Sequence, residues 1–364
     1  MKLRRSLLLA LAAALIVLIG VLYLKTRPAP ILTVMTWPGA YGRAQASAQM
    51  RPFGVEKNVD VRTALWDGDL KEIRAMVEKQ DFKADVIDFE LPAAVRACQE
   101  KLLEKIDPAI LPAGADGTPA ARDFVPRAIG PCWVGSMVYS QVMVYSPQLQ
   151  QRFKRTPETL ADFFDRKKFP GRRALSRANA KFNLEMALLA DGVAPGDIYN
   201  TLNTPEGLDR AFAKLTALHP IWAHDSKDAL AWVKNGQAVM ATALNGDVQA
   251  LKTDAPGVIW DHQLYELDVF GIPAGNPNKQ GALDFIAYAT GSAPLAAVAN
   301  WMGYGPARRS ALPLVKNNPE TGEAMRPFLP TAPENFQNAF AIDDGWWLAH
   351  GDAITSRWQE FVSR

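Results

Sequence analysis

Short apolar segments alternate with amphipathic ones in the part of the chain that follows residue 30. ILTVMTW and VDVRTAL have the pattern of β-strands, and RAQASAQMRPFGVEK between them predicts a helix that ends near Gly54. LKEIRAMVEKQ places Leu70, Ile73 and Met76 at helical spacing. ADVIDFE predicts a short buried strand, and Pro92 begins another helix. Strands that alternate with helices predict a mostly parallel sheet in an α/β fold.

A long alternating stretch, CWVGSMVYSQVMVYS, interrupts this rhythm before strands and helices resume. RRALSR, QAVMATAL and LDVFGIPAG predict strands, whereas FNLEMALLADGV, KQGALDFIAYATG and APLAAVANWMGYG predict helices. We therefore expect two lobes joined by crossing strands, near Tyr139 to Met143 and near Asp261 to Phe270, that act as hinges. The predicted division is residues 1–27 as a leader, 28–138 as the first part of lobe 1, 139–262 as lobe 2, and 263–364 as the rest of lobe 1, from which C-terminal helices can cross back to lobe 2.

The first 27 residues indicate export. Lys2, Arg4 and Arg5 precede an unbroken apolar run from Leu7 to Leu24, which is the pattern of a signal peptide or of an uncleaved anchor. The run is long enough to span a bilayer, and no small-x-small cleavage site stands out after it, which favours the anchor. The first cysteine is Cys98, so a lipid-modified cysteine directly after the run is excluded. We expect a periplasmic protein, either free or tethered to the inner membrane by residues 7–24.

Charge and cysteine content narrow the class further. The formal net charge is +2, and basic residues form no long run, so nucleic-acid binding has no support. Cys98 and Cys132 are an even pair in a chain that we expect to enter an oxidising compartment. A disulfide is the favoured interpretation, and two free buried thiols are the alternative.

Motifs of common enzymes and cofactor sites are missing from the sequence. The four histidines show no metal-ligand spacing, and WVGSMV around Ser136 lacks the second glycine of a nucleophile elbow. Phosphate-binding and dinucleotide fingerprints are also absent. Solvated turns explain most carboxylate pairs, which occur here at Asp67/Asp69, Asp88/Glu90 and Asp343/Asp344. The sequence therefore predicts a protein that is not an enzyme and that carries no metal or other cofactor.

Acidic and aromatic side chains gather at the predicted strand ends, where ligands bind in parallel α/β sheets. A flexible amine is held by a carboxylate and by the face of an aromatic ring, and these residue types supply both. Structural interpretations exist as well: Trp37 can belong to the core, and Asp88 can cap the helix that begins at Pro92. The candidate ligand-binding residues are Trp37, Tyr41, Trp66, Asp67, Asp88, Glu90, Asp247 and Asp268.

Five segments, taken in order and spacing, resemble a known family. They are LTVMTWPGAYG, ADVIDFELP, NLEMALLADG, VMATALNGDV and LDVFGIPAGNPNKQGALDFIAYATG. The resemblance is to the periplasmic solute-binding proteins of ABC importers, in particular the spermidine/putrescine-binding type. It implies the type 2 periplasmic-binding-protein fold, in which two α/β lobes close on a small-molecule solute and present it to a membrane permease.

The resemblance also implies roles for individual residues. The aromatic ring that packs on the ligand falls on Trp37, and the carboxylate that grips an amine falls on Asp268. Tryptophans of that family are replaced by Leu244 and Glu266, and its acidic amine ligands on the second lobe are replaced by Asn179 and Phe182. With a thinner aromatic box, we expect an amine to be bound differently, by Glu266, Glu185 or Asp247.

Basic residues border the same helix start and leave an alternative open. Arg173, Arg177 and Lys181 would favour a carboxylate or phosphate there, although a solvated basic face is the interpretation that we favour. The prediction is therefore the binding component of an ABC importer for a small polar solute, a polyamine or another amine-bearing compound. The alternatives are a membrane-anchored sensor of the same fold, a receptor for an anionic solute, and a hydrolase on an exported α/β scaffold.

Overall fold

The computed structural model describes residues 28–178, 180–251 and 255–363. The predicted leader at residues 1–27 and Asn179 lie outside the described residues. Within these described ranges, no single helix is long and apolar enough to cross a bilayer. One bent pair, Lys279–Ala289 with Ser292–Ala299 at 66°, passes that test by length and composition when the two helices are taken together.

Three parallel strands and their connecting helices begin lobe 1. The bounds are β1 Ile31–Thr36, α1 Ala40–Gln45, a π-helical segment Ala46–Met50, α2 Arg51–Lys57, β2 Asp60–Leu65, α3 Leu70–Lys79, β3 Val86–Glu90, α4 Leu91–Gln99 and α5 Ala120–Asp123. β1 lies between β2 and β3. The first crossover passes the expected stop at Gly54 and ends at Asn58, whose left-handed φ of 53° terminates it. Ile73 and Met76 are buried, as their spacing predicts.

Two long strands cross the middle of the molecule. They are β4 Val134–Tyr145 and β8 Gly257–Gly271. β8 pairs antiparallel with both β3 and β4, so the centre of the sheet is antiparallel where the sequence pattern predicts mostly parallel pairing. The register between β4 and β8 shifts between Gln141 and Met143, opposite a segment in which His262 has a φ of 52°. Such a break in the ladder bends a strand, and here it lies where the sheet passes from one lobe to the other.

Lobe 2 repeats the βα arrangement on the far side of the crossing strands. Its elements are α6 Pro147–Phe153, α7 Leu160–Phe164, β5 Arg173–Ser176, α8 Asn183–Ala190, α9 Ile198–Leu202, α10 Pro205–Leu218, β6 Ile221–Ala223, α11 Ser226–Lys234, β7 Met240–Leu244 and α12 Asn245–Ala250. β5 lies between β6 and β7 and is parallel to both. The sheet therefore runs β2-β1-β3-β8-β4-β7-β5-β6, with parallel flanks and antiparallel crossing strands between them.

The last third of the chain returns to lobe 1 and then reaches lobe 2. Its elements are α13 Lys279–Ala289, α14 Ser292–Ala299, β9 Gly305–Pro306, β10 Phe340–Ala341 and α15 Asp344–Val362. Phe285 of α13 lies in the apolar core beneath β1 and β3. Trp346 and Trp358 of α15 are buried in a separate core with Leu184 of α8. The final helix thus packs on lobe 2, while the preceding helices pack on lobe 1.

A disulfide joins Cys98 in α4 to Cys132, just before β4. This pairing confirms the prediction from compartment and cysteine number, and the alternative of two free thiols is wrong. The bridge ties the third βα unit of lobe 1 to the start of a crossing strand.

Candidate ligand-binding site

Four carboxyl groups project from one face of the central strands. On β3, Asp88 and Glu90 are two residues apart and therefore point the same way. Glu90 pairs directly with Asp268 on β8, and directly opposed residues of antiparallel strands share a face. Glu266 lies two residues before Asp268, on the same face. Strand register alone therefore brings Asp88, Glu90, Asp268 and Glu266 together. We call these four residues and Asp344, which is described below, the acidic cluster.

Asp88 is the most enclosed member of the cluster. Its side chain is 0% exposed, and Oδ2 accepts a hydrogen bond of 2.9 Å from Nε2 of Gln45 on α1. The other oxygen, Oδ1, is buried and has no hydrogen-bond partner among the described residues. Burial raises the pKa of Asp88 to about 8, since water no longer stabilises the charged form. The carboxyl group of Asp88 is therefore mostly neutral near pH 7, and its Oδ1 can accept a hydrogen bond from a ligand.

Asp268 lies beside Asp88 under a tyrosine. Burial raises the pKa of Asp268 well above its usual range, and the nearby charges of Asp88 and Glu90 raise it further. The hydroxyl of Tyr41 is 3.1 Å from Oγ of Ser136 and accepts a hydrogen bond from Gln45. Tyr41 is thus held by polar contacts over the two aspartates. Burial, followed by the charges of Asp88 and Asp268, raises its own pKa.

Two tryptophans form an aromatic wall beside these carboxylates. Trp66 is buried, and its Nε1 donates to the backbone oxygen of Asp88 at 3.2 Å. Its ring packs edge-to-face with Phe89, with the ring centroids 5.2 Å apart. Trp37 is half-buried and rests on Trp66, with ring centroids 5.5 Å apart. Its Nε1 is buried without a partner in the part of the chain that the structure describes. Trp66 therefore supports the wall, and Trp37 is its more accessible face.

Lobe 2 reaches the acidic cluster through Lys181. Its ammonium pairs with Oε1 of Glu266, and the hydroxyl of Tyr139 donates to Oε2 of Glu266 at 2.9 Å. Asp344, at the start of α15, also faces Glu266. Burial and then the charge of Glu266 raise the pKa of Asp344 to about 9, although Arg127 lies 3.3 Å from it. Part of Glu90 is exposed to solvent. Neighbouring protein atoms still remove water from its carboxyl group, and this desolvation, followed by the charge of Glu266, raises its pKa.

Carboxyl groups outnumber cations in this cleft. Only two of the described basic side chains form ion pairs with the cluster, and they are Lys181 and Arg127. No group of three or more histidine, cysteine or acidic side chains among the described residues is arranged to hold a metal ion. The acidic cluster therefore has an excess of carboxyl oxygens that suits an organic cation.

Cavities open on both sides of Lys181. The first, which we call the lobe-2 cavity, has a volume of about 230 Å³ and is lined by Gln141, Ser176, Ala178, Lys181, Phe182, Asn183, Asp225, Ser226, Lys227, Leu244 and Asp247. The second has a volume of about 280 Å³ and lies between Pro92, Arg177 and the face of α15 that carries Trp347. Lys181 lines both, so the acidic cluster adjoins each cavity through this side chain.

Asn245 connects the two lobes next to the lobe-2 cavity. Its Oδ1 accepts from the backbone of Ser140 at 2.9 Å, and its amide donates to the backbone oxygens of Gly303 and, at 3.3 Å, Phe328. Because these contacts join α12 of lobe 2 to a crossing strand and to lobe 1, the structure has its lobes in contact.

The structure separates several candidate residues from the acidic cluster. Asp67 is exposed in a turn, where its Oδ1 accepts from the backbone of Asp69 at 3.0 Å. Glu185 is buried in lobe 2, where it accepts hydrogen bonds from Tyr199 at 3.1 Å and Trp347 at 2.5 Å. Asp247 is half-buried and lines the lobe-2 cavity. Both donors to Glu185 reach its Oε1, and its Oε2 is buried without a hydrogen-bond partner among the described residues, so an amine-binding role for Glu185 stays a prediction.

Three expectations need correction. Asp88 does not cap α4. The N-cap residue of α4 is Glu90, and its side chain makes no capping hydrogen bond. Arg173 is 0% exposed and donates to the backbone oxygen of Phe163 at 2.7 Å, so it belongs to no solvated face. Lys181 does not lie on a solvated face either. Its ammonium pairs with Glu266 in the cleft, and 18% of its side chain is exposed.

Sequence reasoning missed four contributors to the cleft. Tyr139, Tyr304 and Arg127 lie in segments with no local signal for binding, and the rings of the two tyrosines are 6.2 Å apart. Asp344 belongs to a carboxylate pair that the sequence pattern attributes to a solvated turn. For Tyr139, the alternating pattern of the crossing strand could have placed it on the face of Glu266, had the register with β8 been known. For the others, only the tertiary contacts identify them.

The fold and the acidic, aromatic cleft between two lobes define a solute-binding protein of the periplasmic type. The family model of the bacterial extracellular solute-binding proteins matches residues 48–323, and the chain belongs to that family. Proteins of this family are the non-enzymatic, substrate-binding components of ABC transporters for small solutes. Membership of the family implies a periplasmic location. The resemblance seen in the sequence is confirmed at this level.

Individual relatives differ in what they bind. The chain is 35% identical over 337 residues to the gamma-aminobutyric acid-binding protein of Pseudomonas aeruginosa, covering 92% of this chain and 91% of that one. The structure of a GABA receptor matches with 29% identity and a TM-score of 0.73, covering 91% of this chain and 97% of its own. The spermidine/putrescine-binding protein PotD of Streptococcus pneumoniae matches with 15% identity and a TM-score of 0.68, covering 92% and 100%, which shows a common fold alone. The polyamine-binding type thus stays a prediction.

Proposed function

We propose that this protein captures a small amine-bearing solute in the cleft between its lobes and delivers it to an ABC importer. The observation that carries the proposal is the excess of carboxyl groups in the acidic cluster, together with the buried, unpartnered Oδ1 of Asp88 within the described residues. Burying acidic groups without a cation is unfavourable unless they take up protons. A ligand ammonium removes that cost because it favours their charged forms.

The surrounding residues complete a site for an alkyl ammonium. Asp88, Asp268 and Glu90 supply the negative charge, and the accessible ring of Trp37 supplies a face on which the methylene groups and the cation can lie. Lys181 of lobe 2 already contacts the cluster, so a ligand bound there also touches both lobes. A ligand with contacts to both lobes stabilises the closed form, which is the form that a permease recognises.

Both γ-aminobutyrate and short polyamines satisfy this description. The relatives that are named for γ-aminobutyrate favour γ-aminobutyrate. Short polyamines are supported by Trp37 and Asp268, which match the aromatic ring and the carboxylate of the polyamine-binding type. An anionic solute without an amine has less support. Of the basic residues that it would use, Arg173 is buried against backbone oxygens, and a solute without an amine would leave the carboxyl groups of the acidic cluster without a cation.

A pair of four-carbon probes tests the proposal with the purified full chain. Butylamine carries only the ammonium, and butyrate carries only the carboxylate. We expect butylamine at millimolar concentration to raise the thermal unfolding midpoint, because a ligand that binds the folded state stabilises it by mass action. Asp88→Asn should abolish this shift, whereas Asp67→Asn, on the exposed turn, should leave it unchanged. A shift with butyrate and none with butylamine would show that the proposed function is wrong.

A further inference from the structure

Lys181 brings a positive charge of lobe 2 into the acidic cluster. It lies two residues before the first residue of α8, and its ammonium pairs with Glu266 of the crossing strand β8. The ion pair is enclosed, since 18% of the lysine side chain and 2% of the glutamate side chain are exposed. Enclosure makes such a pair strong and makes a second cation at the same place unfavourable.

Both carboxylate oxygens of Glu266 already accept hydrogen bonds, so a ligand ammonium must pair with other carboxylates. Lys181 takes Oε1 and the hydroxyl of Tyr139 takes Oε2. Asp88, Asp268 and Glu90 then remain for a ligand. A diamine that placed one ammonium there would bring its other ammonium toward Lys181, whereas an amino acid would bring a carboxylate.

The lobe-2 cavity has the charges to receive that carboxylate. Lys181 and Lys227 line it, Phe182 and Leu244 provide apolar walls, and α8 begins at this wall without a side-chain cap on its first turn. Positive side chains and the start of a helix both favour an anion. Two acidic side chains line the same cavity, Asp225 and Asp247, and of these Asp225 is engaged in capping α11 through the backbone of Asp228 at 2.9 Å.

We propose that Lys181 is the specificity-determining residue of the cleft and that the natural ligands are short ω-amino acids. The ammonium of the ligand lies in the acidic cluster, and its carboxylate lies in the lobe-2 cavity beside Lys181. The cavity volume of about 230 Å³ suits a chain of a few carbons. This inference rests on the proposed function, because it assumes that an amine enters the acidic cluster.

Three probes with a common four-carbon chain separate the two proposals. γ-Aminobutyrate has one ammonium and one carboxylate, putrescine has two ammoniums, and butylamine has one ammonium alone. We expect the wild-type chain, measured by isothermal titration calorimetry, to bind γ-aminobutyrate most tightly and putrescine most weakly. Lys181→Met should lower the affinity for γ-aminobutyrate about 10- to 100-fold, as expected for losing a charge-assisted contact, and should raise the affinity for putrescine.

Two further variants guard the interpretation. Lys181→Arg keeps the charge and should retain the preference for γ-aminobutyrate, whether or not Lys181→Met folds less well. Lys71→Met removes an exposed lysine, whose side chain is 84% exposed, and should change no affinity.

Opposite results overturn the inference. A wild-type preference for putrescine, or an equal loss of affinity for all three probes in both Lys181 variants, would exclude Lys181 as the selector while leaving amine binding intact. Binding of butyrate with no binding of butylamine would instead contradict the proposed function itself.

Discussion

Proton release is the sharpest test of whether the ligand amine enters the acidic cluster. Burial raises the pKa of Asp88 to about 8, so at pH 7 this carboxyl is mostly protonated before ligand binds. A bound ammonium stabilises the charged carboxylate and lowers this pKa. Binding at pH 7 should therefore release up to about one proton from Asp88.

The same linkage gives a magnitude for affinity. Below the pKa of Asp88, this one group should raise the affinity for an amine about tenfold for each unit of pH, and its contribution should level off above pH 8. Burial also raises the pKa of Asp268, and its contribution has the same sign. The sign follows from the direction of the shift: a raised pKa means that the unliganded protein binds the proton that the complex loses.

Isothermal titration calorimetry measures both quantities. Titrations of butylamine at pH 7 in two buffers that differ in enthalpy of ionisation give the number of protons released, and titrations from pH 6 to 8 give the slope. Asp88→Asn should reduce both values, whereas Asp67→Asn, on the exposed turn, should keep them. Tight binding with no proton release and a flat pH profile would refute an amine at Asp88.

Three other predictions concern stability and the aromatic wall. Burial raises the pKa of Glu185 to about 7, above its unfolded value. The contribution of this group to stability should therefore fall by about 3 kcal/mol as the pH rises from about 4.5 through 7, and Glu185→Gln should remove that contribution from the pH dependence of urea unfolding. An unchanged pH profile in the variant would contradict the assignment. Replacing Cys98 and Cys132 with serine opens a link across a sequence separation of 34 and should cost about 3 to 4 kcal/mol, measured by urea unfolding, with no effect of reductant on the variant. Trp66→Ala should cost about 3 to 5 kcal/mol because Trp66 is only 5% exposed, whereas Trp37→Ala should cost less and weaken amine binding. Unchanged binding by Trp37→Ala, measured calorimetrically, would remove that ring from the ligand site.

Local sequence patterns predicted the elements well for a physical reason. Apolar spacing decides which side of a helix or strand is buried, so Ile73 and Met76 pack inward as expected. Where local signals compete, boundaries move: the helix expected to end near Gly54 continues to Lys57, because Asn58 rather than the glycine takes the left-handed conformation. The antiparallel centre was missed because pairing of β3 with β8 joins segments about 180 residues apart.

The sequence by itself predicted the class of the protein, favoured a disulfide between Cys98 and Cys132, and marked Asp88 and Asp268 as candidate ligand-binding residues, since residue type, order and compartment carry that information. Only the tertiary structure decided which carboxylates meet, because a shift of one residue in the register of β8 would turn Asp268 and Glu266 to the other face of the sheet. It also decided the place of Lys181, which a local pattern presents as one more surface lysine. Its enclosure beside Glu266 follows from the approach of the two lobes.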